Sequence, residues 1–182
     1  MAGDDPPAAP SGEPDPAVLD ALRRSLDVRI RRDGTITMGG GAVTHPRVRA
    51  AVLRGLDRTD GGALCFRFGG RWAYVTAEDH PLRVRHAAPC GDTLRVDLDD
   101  GRRLDRPIDA LRYDEHGLVL QVPSIPSGRP LLARLTNRAA LALADRLSLG
   151  PRGPTIATTR GPLPIPKAPQ DAVAPLEPQG PR

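Results

Sequence analysis

Apolar residues recur along the chain with two periods, and the switches between them divide it into elements. Val18, Leu19, Leu22 and Leu26 repeat at helical spacing behind Asp15-Pro16, an acid that can cap free amides and a proline suited to the first helical position. From Asp27 the period drops to two. In DVRIRRDGTITM, Val28, Ile30, Ile36 and Met38 alternate with polar residues across Asp33-Gly34, which predicts a β-hairpin. Gly39 to Gly41 break that pattern, and Thr44-His45-Pro46 opens a second helix expected to run to about Leu56. Val48, Val52 and Leu56 share one face of it, with Arg47, Arg54 and Arg58 gathered on roughly the opposite side.

Alternation returns in ALCFRF, RWAYVT and LRVRHA, predicting three antiparallel strands with turns at Gly69-Gly70 and Asp79-His80-Pro81. Trp72 and Tyr74 share a face of one strand, Phe66 and Phe68 a face of its neighbour, and together they suggest a small aromatic cluster. DTLRVDLDDGRRLDRPI reads as a further hairpin turning at Asp99-Asp100-Gly101-Arg102, and LRYDEHGLVLQV as another around His116-Gly117. PLLARL adds a strand, after which Thr136 caps a last helix, TNRAALALADRL, carrying Leu143 and Leu147 at i, i+4 and ending near Gly150-Pro151.

The order hairpin, interrupted connection, helix thus occurs twice, in 27–88 and in 89–149. The pattern predicts an α+β fold, mainly antiparallel sheets with few short helices, built from two related hairpin-plus-helix halves within one domain at 17–149. The ends read differently. Residues 1–16 hold four acids, five prolines and, after Met1, no large apolar side chain, too little to offset the entropy of ordering. Nine prolines fall after Leu149 and favour extended polyproline geometry, so 150–182 is expected to be a disordered tail as well.

Three pieces of this layout carry a family resemblance: Arg31 to Gly34 at the first hairpin turn, Val75-Thr76 followed by Glu78-Asp79-His80-Pro81, and the run Leu132 to Ala139 ending Asn137-Arg138-Ala139. In their order they are similar to a bacterial family of unknown function, the domain of unknown function numbered 1285, over about Asp27 to Leu147. Thr35-Ile36-Thr37 stands where that family usually carries an aromatic residue. The resemblance implies a two-part α+β fold with related halves and a groove between them, and implies no activity.

Charge adds a little. Residues 17–147 hold 22 Arg and no Lys against 16 acidic residues, a balance of +6 with His neutral. A basic surface can bind nucleic acid or another polyanion through counterion release. A strong preference for Arg over Lys, with abundant Ala, Pro and Gly, is also what a GC-rich genome produces. The first residues lack the basic and apolar regions of a signal peptide, and the longest helical apolar run, Ala139 to Ala144, is far short of a membrane span. Cys65 and Cys90 form no disulfide framework or CxxC pair, so a cytoplasmic, reducing compartment is expected.

Chemistry-bearing residues are sparse. His80, flanked by Glu78 and Asp79, is a candidate for acid-base or ligand-binding work, although in a strand Asp79 would point away from the other two. Arg47, Arg54 and Arg58 are candidates for holding an anion, since guanidinium groups make bidentate contacts with oxyanions. His45, His80, His86 and His116 are scattered without metal-ligand spacing, and Asp97 to Gly101 lacks the spacing of a calcium loop. Ser124 and Ser127 lie in a loop without a nucleophile elbow. No cofactor or metal is expected. The leading expectation is a non-enzymatic regulatory or ligand-binding module with a small anionic ligand or a protein partner. The alternatives are a polyanion or nucleic-acid binder using the arginine-rich surface, and an enzyme with an unfamiliar site.

Overall fold

A computed structural model describes residues 15–151 and 153–169. Two six-stranded sheets form its body, and each is assembled by one rule. In the first sheet, β1 (Val28–Ile30), β2 (Ile36–Met38) and β3 (Gly41–Ala42) make one antiparallel meander. After α2 (Pro46–Arg54), β4 (Leu56–Arg58), β5 (Leu64–Phe68) and β6 (Arg71–Ala77) make a second. The meanders join through parallel pairing of β1 with β6, with Val28 beside Val75. The second sheet repeats the scheme. β7 (Leu82–Cys90), β8 (Thr93–Leu98) and β9 (Arg103–Pro107) precede a 3₁₀ turn, and β10 (Leu111–Asp114), β11 (Gly117–Pro123) and β12 (Pro130–Leu135) follow it. Here β7 pairs in parallel with β12, placing Leu82 beside Ala133.

Two related halves are therefore present, but the repeating unit is meander, short helical link, meander, and it occupies 28–77 and 82–135. The reading of hairpin followed by helix aligned the wrong pair of elements. It also placed β7 with its predecessors as one of three consecutive antiparallel strands, whereas β7 opens the second sheet. Both parallel pairs join strands far apart in sequence, where local alternation carries no signal.

Apolar faces of both sheets close one core, which includes Val28, Ile30, Ile36, Leu53, Leu56 and Val75 from the first and Leu82, Val84, Leu94, Leu120 and Leu131 from the second. α2 stops at Arg54, earlier than its apolar spacing predicts. Gly55 lies against β5, where an added Cβ would stand 2.4 Å from the Arg67 carbonyl oxygen and 2.6 Å from the Phe66 ring, and β4 starts at the next residue. The last helix is shorter still. α3 (Asn137–Leu141) is capped by the Thr136 hydroxyl as expected, but Leu143 is buried and Leu147 already belongs to a strand, its pairing overriding helix propensity.

That strand, β13 (Leu147–Gly150), begins a third, three-stranded sheet with β14 (Gly153–Thr158) and β15 (Gly161–Pro164). The proline-rich stretch is thus ordered as far as it is described, with Ile156 and Ile165 inside the main core. The remainder of the expected tail, from residue 170, and the N-terminal segment before Asp15 lie outside the described residues.

α1 (Pro16–Ser25) starts where expected, with Asp15 accepting from the Ala17 amide at 2.8 Å. It lies on β6 through its polar side, Arg23 stacking over Trp72 at 4.1 Å and Arg24 over Tyr74 at 4.4 Å, while Val18 and Leu22 remain exposed. The aromatics form two pairs rather than one cluster. Trp72 and Tyr74 meet edge to face, Phe66 and Phe68 stack, and Phe66 opposes Ala73 in register, on the face that Trp72 and Tyr74 do not share. No helix among the described residues is long and apolar enough to cross a membrane.

Candidate functional site

Glu78-Asp79-His80-Pro81 links the end of β6 to the start of β7, carrying the chain from one sheet to the other. Both strands lie at the centre of their sheets, so the link passes through the interior. Asp79 and His80 are buried together, which the alternation of a strand would forbid, and Glu78 remains exposed. The next sheet positions arginines to meet them. Arg83 and Arg134 are register partners on β7 and β12, a like-charge pair needing counter-charge.

Asp79 and Asp114 supply that charge. Arg134 donates from Nε and Nη2 to the two oxygens of Asp79 at 3.1 and 2.7 Å, and from Nη1 and Nη2 to those of Asp114 at 2.7 Å each. Arg83 Nη2 stands 3.5 Å from Asp79, and Arg83 also donates to the carbonyls of His80 and Arg32. Asp114, at the end of β10, accepts from the His116 amide at 2.8 Å, which fixes the β10–β11 turn. Its Oδ2 lies 2.8 Å from His80 Nε2.

Burial by itself would raise both carboxylates, but hydrogen bonds from His80 and the His116 amide and, above all, the contacts with Arg134 together outweigh it, and both are held below the usual carboxylate range. The same contacts outweigh burial in Arg134 and raise it. His80 goes the other way. Burial lowers its pKa more than Asp114 raises it, so the imidazole is neutral near pH 7. With Asp114 ionised and able only to accept, the proton of neutral His80 sits on Nε2, and Nδ1 is left as an acceptor. That Nδ1 is buried and has no hydrogen-bond partner among the described residues. An unpaired buried acceptor costs about 1–3 kcal/mol, which marks the position as one to explain.

Above this network opens a cleft of about 260 Å³. Its lining comes from the crossover (Glu78, Asp79, His80), the β10–β11 turn (Asp114, Glu115, His116), Arg32 of the first hairpin, and the segment Lys167 to Pro169. Ligand atoms of Asp79, His80 and Asp114 all fall within 4.8 Å of one another, a spacing that would suit a cation. Arg134, however, already bridges both carboxylates, and its guanidinium is the counter-cation of the cluster.

The structure gathers the other sequence candidates less closely. Arg47 lies exposed in the first turn of α2; Arg54 donates to the Asp100 carbonyl at 2.9 Å; Arg58, on β4 rather than the helix, donates to the carbonyls of Gly62 and Pro130. The three meet different partners and line no common cleft with His80. Ser124 and Ser127 both donate to the fully buried Asp57, tying the β11–β12 loop to β4. Sequence reasoning passed over Asp114, Arg83, Arg134 and Lys167. Arg134 did carry a signal, a single charge set inside the apolar strand PLLARL.

A twofold-repeated α+β fold with a polar crossover at its centre defines the class to which the chain belongs. No protein-family model and no curated protein matches it. Solved structures do. A DUF1285 family protein from Silicibacter pomeroyi DSS-3 superposes with a TM-score of 0.58 at 16% identity, covering 79% of this chain and 81% of that one. A second, from Shewanella baltica OS155, gives 0.53 at 16% identity, covering 65% and 90%. The resemblance read from Arg31–Gly34, Val75–Pro81 and Leu132–Ala139 holds at the level of the fold.

Proposed function

We propose that this protein is a cytoplasmic, non-enzymatic regulatory module that binds a small ligand in the cleft at the crossover. One observation carries the reading: a cleft of about 260 Å³ is floored by a buried, charge-balanced cluster in which every carboxylate is satisfied, and is lined as well by the cations Arg32 and Lys167. Pockets with a few convergent polar groups and perturbed pKa values are the usual places for ligands. The cluster contains no hydroxyl or thiol nucleophile. The His80–Asp114 pair resembles a catalytic dyad, but Nδ1, its only free basic atom, is sealed from solvent, and a general base must reach the proton it removes. Binding therefore ranks above catalysis.

A polyanion-binding role ranks lower because much of the arginine surface is already matched. Arg24, Arg29, Arg95, Arg103 and Arg129 are ion-paired, and Arg54, Arg106 and Arg146 donate to backbone carbonyls. The test is a thermal-shift screen of the full chain against nucleotides, anionic metabolites and short nucleic acids at two salt concentrations. A salt-resistant rise in melting temperature with one small molecule, lost in His80→Ala, supports the reading. A response only to nucleic acid, steeply weakened by salt, refutes it.

A further inference from the structure

The cleft has one wall that is held differently from the rest. After β15 the chain runs as a strap beside β10, where Tyr113 donates its amide to the Pro166 carbonyl at 3.1 Å and accepts from the Ala168 amide at 2.7 Å. Tyr113 and Lys167 form a single parallel bridge. Pro164, Pro166 and Pro169 have no amide to donate, which limits the pairing to that bridge. Ile165 is buried in the main core, and Ala168 is buried in a separate cluster with Val119 and Leu132, so the strap is pinned at two points. Lys167, between them, is exposed and lines the cleft.

Acidic groups surround Lys167, yet none is engaged with it. Asp79 and Asp114 are taken up by Arg134, Arg83 and His80, Glu78 accepts from the Arg32 backbone amide at 3.1 Å, and Glu115 lies 3.4 Å from His116. The Lys167 ammonium and the Arg32 guanidinium have no hydrogen bond or ion pair among the described residues, and both line the same cleft. One cation comes from the first hairpin and the other from the strap, and His80 of the crossover lines the same cleft.

Building on the ligand-binding reading, we infer that the cleft takes a small molecule bearing two or more oxyanion groups, carboxylate or phosphate, clamped between Arg32 and Lys167, and that its binding fixes the strap against β10. Arginine offers an oxyanion a planar pair of donors and lysine a point charge on a flexible stem, a combination suited to a ligand with two separated anionic groups. A ligand that contacts Lys167 only when the strap is docked stabilises the docked form by its differential affinity.

Lys167 is the single lysine of the chain, which makes the strap directly readable. Citrate and inorganic pyrophosphate serve as probes, with the full chain acylated by an amine-reactive ester and Lys167 followed by peptide mass spectrometry. At saturation either probe is expected to raise the melting temperature and slow acylation of Lys167 at least tenfold. Arg32→Met and Lys167→Met should each weaken binding tenfold or more, and Lys167→Arg should restore most of it. Arg95→Met, which breaks an exposed pair elsewhere, should leave binding unchanged. Both residues are exposed, so the variants should melt at the wild-type temperature without probe, separating lost binding from lost folding. Neither probe binding, or binding indifferent to both variants, overturns the inference. Protection of Lys167 by a neutral or cationic compound instead would overturn the ligand class and leave the cleft as a binding site. If no compound of any charge protected Lys167 or shifted melting, the ligand-binding reading would fall too.

Discussion

Replacing Arg134 by Met tests the reading of the crossover most directly. The guanidinium makes four hydrogen bonds to two carboxylates, and the side chains of Arg134, Asp79 and Asp114 are only 10%, 6% and 20% exposed. Breaking a buried pair by removing one partner costs about 3–5 kcal/mol, because the remaining charge is left desolvated. We expect about 4 kcal/mol at pH 7.5, read by urea denaturation, and a drop in melting temperature of roughly 8–16 °C at about 2–4 °C per kcal/mol. The pH dependence is the sharper signature. In the wild type both carboxylates titrate below their unfolded values, so their contribution is present above roughly pH 3.9 and lost as pH falls through the folded values. In the variant, burial remains and the Arg134 hydrogen bonds are gone, leaving His80 and the His116 amide at Asp114 and Arg83 near Asp79. Both folded values then rise from their wild-type positions, so the variant loses less stability than the wild type as pH falls. The difference between the two proteins should therefore narrow as pH falls from 7.5 through about 4. A loss below about 1 kcal/mol, or a difference that widens on acidification, would refute the reasoning.

Three further outcomes follow from single residues. Burial puts the folded pKa of His80 below the roughly 6.5 of an unfolded histidine, so its share of stability is complete above that pH and is lost as pH falls toward the folded value. His80→Gln, whose amide can still donate to Asp114, should flatten the stability profile between about pH 6.5 and 5, and an unchanged slope in urea titrations would count against a neutral His80. Gly55→Ala should destabilise by roughly 1–3 kcal/mol through overpacking against Phe66 and the Arg67 carbonyl, measurable by thermal melting, whereas a neutral result would mean that β5 gives way easily. Cys65 is fully buried with its thiol pushed up by burial and Cys90 is exposed, so a thiol-specific reagent should titrate one group per native chain and two in denaturant.

What the sequence made legible was local. The Asp33-Gly34 hairpin, the Asp99 to Arg102 turn, the Asp15 cap and the Thr136 cap each rest on contacts within a few residues, and each is found where alternation and turn chemistry place it. The parallel pairs β1–β6 and β7–β12 have no local signature, and without them the repeat was aligned hairpin to helix instead of meander to meander. The tail was misread because its prolines were weighed above Ile156, Leu163 and Ile165. Those apolar residues point a small sheet at the core, while Pro154 is the second residue of β14 and Pro162 and Pro164 sit on a sheet edge, where a missing amide is tolerated. At the site, His80 was visible as a titratable residue, but Asp114, Arg134 and Lys167 reach it from three other parts of the chain.

The repeat also explains why the crossover is polar and buried at once. Each unit begins and ends on its two central strands, so the first unit releases the chain at β6 and the second receives it at β7, both mid-sheet. A short link between sheet centres must cross the interior, and an apolar link would serve stability equally well, since well-packed hydrophobic replacements of buried ion clusters are often neutral or stabilising. The charged cluster thus fits the proposed binding role and is not required for folding. The triple variant Arg134→Met, Asp79→Leu, Asp114→Leu separates the two. It should recover part of the roughly 4 kcal/mol lost in Arg134→Met alone, because the two stranded carboxylates are gone while Arg83 loses its Asp79 partner, and yet lose any response to ligand at the cleft. A triple variant as unstable as the single one would assign the cluster to folding.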